Sequence, residues 1–276
     1  PGGAENIQDI YPLAPLQEGI LFHHRMNPGR DVYTIAQLLL LDSPEHLEKL
    51  LAALQRSINR HDILRSAFFW EQLPQAVQVV CREATLVVED LFLPHQEEIE
   101  QQLIDLINST GLVINLARAP LFRVQVCSVP TSRRCYLILS FHHIILDHIS
   151  QELLWEEICS ELAGEEIPDS KPFQYRHYVA QVLAATNAGH SQRYFRDKLL
   201  GFSEPTFPFD LSETHGDGSR LVHAQIRLDE SLSASIRKTA RHHQVAPSTF
   251  FHAAWAMVMA ASTGKNDVVF GTVLMG

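Results

Sequence analysis

Ser140-Phe141-His142-His143-Ile144-Ile145-Leu146-Asp147-His148 sets two adjacent imidazoles directly after an apolar run, with a carboxylate four residues beyond the second. The preceding residues, Cys135 to Phe141, are aliphatic and aromatic with almost no charge and predict a buried strand. After it, 149–162 carries Leu154, Ile158 and Leu162 at helical spacing, with Glu152, Glu156, Glu157 and Glu161 elsewhere. The paired imidazoles therefore fall in a strand-to-helix loop, the kind of segment that carries function more often than the elements it joins. An imidazole exchanges protons near neutral pH, so the pattern points to a site for acyl-transfer chemistry. Asp147 either orients one of these rings or holds the loop by pairing with a cation elsewhere.

Working outward, a helix opens at 15–22 with Pro15 in its first turn, and 32–41 predicts a strand. Ser43-Pro44 announces a second helix, Ser43 as N-cap and Pro44 at the first position, with Leu47, Leu50, Leu51, Leu54 and Ile58 forming one apolar stripe. Strands follow at 64–71, 76–81 and 85–89, a helix at 95–108, strands at 121–128 and 134–141, and a helix at 148–163. Strands and helices alternate in no strict βαβ rhythm, which predicts an α/β (α+β) fold with a mixed sheet and helices on one side. The composition turns polar near Pro168, predicting a boundary between lobes at 170/171. Beyond it come helices at 173–185 and 188–200, a polar loop at 212–219, a strand at 220–228, a helix at 247–261 expected to be buried on most faces, and a strand at 268–274. Residues 1–10, opening Pro-Gly-Gly rather than Met, predict linker sequence and a piece of something larger.

The 276 residues are 46% hydrophobic and 20% charged, an ordinary globular balance. Twenty-two Lys and Arg against thirty-two Asp and Glu give a net charge of −10, which argues against nucleic acid as a partner. The Arg133-Arg134 pair reads as a turn between strands, and His242-His243 as a solvated helix end. No run approaches the ~18 apolar residues of a membrane span, and Cys81, Cys127, Cys135 and Cys159 lack CxxC spacing. Together these predict a cytoplasmic protein with reduced core thiols, no membrane association and no zinc centre.

His142, His143 and Asp147 match the HHxxxDG motif, with His148 in place of the glycine. Tyr11-Pro12-Leu13-Ala14-Pro15-Leu16-Gln17-Glu18-Gly19 is similar to the opening motif of the same family, and 60–68, reading RHDILRSAF, to its second, RHExLRTxF. LARAPLFR at 116–123, Tyr194-Phe195 and Glu204-Pro205-Thr206 fit further segments in the same order. The chain thus resembles the condensation domains of non-ribosomal peptide synthetases along its whole length. A subgroup that epimerises as well as condenses carries HH(I/L)xxxxGD near its N-terminus. His23-His24 with Gly29 and Asp31 is similar to that motif, although Arg25 replaces its aliphatic residue and Arg30 separates Gly29 from Asp31. Asp147-His148 fits the same subgroup, which often has DH for DG. Read from the residues alone, His23 and His24 are equally a pair closing the first helix at its C-terminus.

The resemblance implies two chloramphenicol-acetyltransferase-like lobes set in a V, of which the chain would hold the first (11–170), then bridging helices and part of a second, similar lobe (171–276). It implies peptide-bond formation between a donor peptidyl or acyl thioester and an acceptor aminoacyl thioester. Both substrates ride on the phosphopantetheine of upstream and downstream carrier proteins, beside an adenylation domain, and the domain itself binds no cofactor or metal. His143 is the implied catalytic residue with His142 beside it, Asp147 pairs with Arg65 in support of the loop, and His23, His24, Asp31 and His148 are implicated in epimerisation of the donor residue. Two alternatives stay open: a stand-alone coenzyme A-dependent acyltransferase, and a catalytically silent module that recruits a partner.

Overall fold

A computed structural model describes residues 2–26, 31–93, 98–109, 113–129, 132–165, 172–187, 189–211 and 224–272. The chain divides into two compact units, Pro1–Gln192 and Arg193–Leu274.

The first unit is built on two sheets. In the smaller, β1 (Ile7–Pro12) and β3 (Ser66–Phe69) both pair antiparallel with the central β4 (Val77–Cys81). In the larger, the order is β2 (Thr34–Leu41), β7 (Cys135–His142), β6 (Phe122–Ser128), β5 (Val88–Asp90), with the β5–β6 pair parallel and the others antiparallel, so the sheet is mixed as expected. Side chains alternate across each strand. Phe122, Val124 and Val126 of β6 and Leu137, Leu139 and Phe141 of β7 therefore share one face, where they join the main core. That core also contains Leu50, Leu54 and Ile58 of α2 (Pro44–Arg60) and Leu154 and Ile158 of α4 (His148–Leu162). Cys127 and Ile138 point to the other face and pack with Leu103 of α3 (Ile99–Ser109). Helices thus cover both faces rather than one: α3 has its own apolar stripe and needs its own sheet surface to bury it.

Local chemistry fixes the helix ends. Ser43 Oγ accepts the His46 N–H with Pro44 at the first position, as the sequence announces. α1 (Pro15–Met26) turns Gln17, Ile20 and Leu21 inward. α5 (Tyr175–Asn187) starts under a carboxylate from far along the chain, since both oxygens of Asp62 accept the Tyr175 N–H at 3.2 Å. That contact lies within the first unit, which meets the second at 192/193, within α6 (His190–Lys198).

Several expectations are corrected. Ile7–Ile10, expected as linker, belong to β1, because Ile7, Asp9 and Ile10 lie opposite Cys81, Val80 and Val79. Cys159 is exposed on α4, as is Leu162, while Cys81, Cys127 and Cys135 are buried and burial pushes all three thiols up. In the second unit, α7 (Glu230–His243) ends on the exposed His242-His243 pair and α8 is Ser248–Thr263. Residues 224–228 and 268–272 form no strand; the rest of those two predicted strands, and the 212–219 loop, lie outside the described residues. Val269 instead meets Thr206, its carbonyl accepting the Thr206 N–H at 2.7 Å and its N–H donating to Thr206 Oγ1 at 2.9 Å. The expected burial of α8 is not seen: Phe251, Trp255, Met257 and Val258 are exposed, and among the described residues α8 packs chiefly on α7 and the turn at Pro208–Asp210. No helix among the described residues is long and apolar enough to cross a membrane.

Candidate active site

β7 runs out at His142, opposite Thr34 of β2. The ladder continues one step further, where the His143 N–H donates to the Tyr33 carbonyl at 2.8 Å. The chain then turns, the Ile145 N–H closing on the His142 carbonyl at 3.2 Å. Asp147 starts α4 by accepting the Ser150 N–H on Oδ1 at 2.7 Å. The HHxxxD spacing is thus a strand end, one tight turn and a helix cap.

The two imidazoles have opposite surroundings. His142 is fully buried. Its Nδ1 accepts the Ile144 N–H at 3.1 Å, which leaves the ring proton on Nε2, 2.8 Å from Asp31 Oδ2. His143 is half-buried, edge-on to Phe141, and its Nδ1 donates to the Leu146 carbonyl at 2.7 Å. That bond puts the His143 proton on Nδ1 and leaves Nε2 with its lone pair.

Asp31, just before β2, collects three donors. Oδ2 accepts from His142 Nε2 and from His24 Nδ1 at 2.5 Å, and Oδ1 accepts the Tyr33 N–H at 3.0 Å. Burial pushes this carboxyl up, but the hydrogen bonds from His142, His24 and the Tyr33 N–H outweigh it. The net effect holds Asp31 well below the usual carboxylate range.

The N-terminal His pair divides. His24 turns in, with Trp70 edge-on to its ring, whereas His23 is exposed between Phe22 and Tyr33. Gly29 and Arg30 of the same motif lie outside the described residues. His148 is the exposed first residue of α4 and meets Glu152 at 3.2 Å.

The ion pair expected between Arg65 and Asp147 does not form. Arg65 is buried and donates to the carbonyls of Ile58 (3.1 Å), Arg82 (3.2 Å) and Cys81 and to Gln8 Oε1 (2.9 Å). It fastens the end of α2 to the ends of β1 and β4. Burial pushes its guanidinium down, against the pull of the Asp62 carboxylate. Asp147 is compensated by the N-terminus of its own helix.

Gln17 is a supporting residue the sequence reading missed. Its side-chain N–H donates to the Ile144 carbonyl at 3.0 Å, and its Oε1 accepts from the Ala14 N–H at 2.9 Å and Gln78 Nε2 at 3.0 Å. A buried amide on α1 thus holds the turn after His143. Its sequence signals are its place in the opening motif, Tyr11 to Gly19, and on the inward side of an apolar helix face.

His24, Asp31 and His142 bring three ligand-type atoms within 4.8 Å of one another. A metal-bound imidazole donates its other N–H to an acceptor. His142 Nδ1 instead faces a donor, the Ile144 N–H, so the ring suits Asp31 and not a metal.

The family model for the condensation domain matches residues 7–276. Malpibaldin synthetase of Mortierella alpina is 37% identical over 277 residues, covering 100% of this chain and 5% of that protein. A linear gramicidin synthase polypeptide of Brevibacillus parabrevis is 32% identical, covering 98% of this chain and 5% of that protein. The chain therefore spans about one twentieth of the length of these relatives. Among solved structures, the condensation domain from the monacolin K polyketide synthase MokA superposes with a TM-score of 0.68 at 16% identity, over 94% of this chain and 61% of that one. The first condensation domain of the calcium-dependent antibiotic synthetase, in complex with a substrate analogue, gives a TM-score of 0.67 at 18% identity, over 95% and 64%. The fold is the chloramphenicol-acetyltransferase-like fold of these domains. On the match of its sequence and the sharing of its fold, the chain belongs to the condensation-domain family.

Proposed function

We propose that this chain joins a donor peptidyl or acyl thioester to the amine of an acceptor aminoacyl thioester in non-ribosomal peptide synthesis, with His143 as the catalytic residue. The observation that carries this reading is the half-buried ring of His143, its Nδ1 proton committed to the Leu146 carbonyl and a lone pair left on Nε2. A hydrogen bond from the attacking amine to Nε2 would hold the nitrogen against the thioester carbonyl, and orientation of this kind is worth several orders of magnitude in rate. The amine nitrogen bonds to the carbonyl carbon, the carbon–sulfur bond breaks, and the thiol departs with the proton the amine sheds. The substrates arrive on phosphopantetheine arms of upstream and downstream carrier proteins, and an adenylation domain charges the acceptor carrier. The domain holds no cofactor of its own, and the reaction runs in the cytoplasm.

A second step is favoured by one observation, the packing of His24 and Asp31 onto His142. In this reading His143 Nε2 first takes the α proton of the donor residue and passes it to solvent, and the planar enolate takes a proton from water on its other face. His24 and Asp31 support the site through His142, onto which they pack.

Condensation in heavy water, with carrier-bound or coenzyme A-bound donor and chiral mass-spectrometric analysis, tests both steps. The expected result is product from the carrier-bound donor alone, inverted at the donor α-carbon and carrying one deuterium there. Equal use of the coenzyme A thioester would contradict the carrier requirement, an unexchanged L,L product would remove the epimerisation, and no product would make the module silent.

A further inference from the structure

Among the described residues, Asp31 is one hydrogen bond from both neighbours of His143 in the site. On one side Oδ1 accepts the Tyr33 N–H, and the Tyr33 carbonyl accepts the His143 N–H. On the other, Oδ2 accepts from His142 Nε2, and His142 Nδ1 accepts the N–H of Ile144, the residue that follows His143. We infer that Asp31 is the positioning residue of the site, fixing the His142 tautomer so that this ring and Tyr33 together clamp the backbone on both sides of His143. This rests on the reading of His143 given above.

The argument is one of matching donors to acceptors. A carboxylate has acceptors on both oxygens and meets three donors here. It holds the His142 proton on Nε2, and only then is Nδ1 free to receive the Ile144 N–H. His24, bonded to the same oxygen, closes the third side and keeps water from competing for it. Asparagine has Asp31's shape and cannot meet this pattern. With its oxygen toward His142, its NH2 faces the Tyr33 N–H. With its oxygen toward Tyr33, its NH2 drives the His142 proton onto Nδ1, against the Ile144 N–H. Either arrangement loosens one clamp, and small misplacements of a reacting group are costly in rate.

Two measurements test the assignment, and only one needs activity. Long-range 1H–15N correlation spectra of the native protein should give His142 as the Nε2–H form and His143 as the Nδ1–H form. A native spectrum with His142 as the Nδ1–H form would overturn the inference while leaving the condensation assay untouched. In Asp31→Asn, kcat for condensation should fall about 10- to 100-fold, with KM for either loaded carrier changed less than about twofold and the imidazole signals of His142 or His143 shifted. Retention of native kcat, or a fall in kcat with both imidazole spectra unchanged, would reject the positioning role.

Discussion

Two imidazoles adjacent in sequence do different work here because their partners differ. His142 spends both nitrogens inside the protein, on Asp31 and the Ile144 N–H, while His143 spends only Nδ1. The same reasoning separates Arg65 from Asp147. Asp147→Ala removes a helix cap and should cost about 1 kcal/mol. Arg65→Met strands several buried acceptors, each costing about 1–3 kcal/mol, and should cost at least about 3 kcal/mol in total. Because the two side chains share no bond, urea unfolding of both single variants and the double variant should show a coupling below about 0.5 kcal/mol. A coupling near 3 kcal/mol would restore the ion pair. At this scale the sequence shows which residues cluster near β7 but not their bonds. Asp31 lies 111 residues before His142, and nothing in either segment announces the contact. Resemblance pairs Arg65 with Asp147, whereas each finds cheaper partners in nearby backbone.

Elements are legible where one surface buries them. β7 is a continuous apolar run, and the α2 stripe of Leu50, Leu54 and Ile58 packs inward as its spacing predicts. β1 is not legible: its sequence, IQDIYP, alternates with polar residues on a sheet edge and reads as linker without its partner β4. α5 shows how distant sequence sets an element's start. Its cap is Asp62, in the turn that follows α2, beside Tyr11 and Tyr175, whose hydroxyls burial pushes well above their usual range, with the Asp62 charge adding to both. Asp62→Ala should therefore lower unfolding stability by about 1 kcal/mol, as loss of a local cap does. An unchanged urea midpoint would show that the Tyr175 N–H needs no such partner.

For the whole molecule, the order of motifs along the chain conveys the family and its fold, because the motifs sit where elements join: Gln17 on α1 against the turn after His143, Arg65 fastening the end of α2 to β1 and β4, His143 after β7. What the pattern does not convey is how much of an apolar helix stays uncovered. α8 reads as buried on composition alone, and its exposed Phe251, Trp255, Met257 and Val258 follow from the packing of Arg193–Leu274, which composition does not describe. The central claim concerns the lone pair on His143 Nε2, and the most direct test is mass-spectrometric product formation by His143→Ala with both carrier proteins loaded. The account predicts no condensed product, with loading intact and a melting temperature within about 2 °C of native, since the ring is half-buried and makes a single hydrogen bond. Product at the native rate from that variant would contradict it.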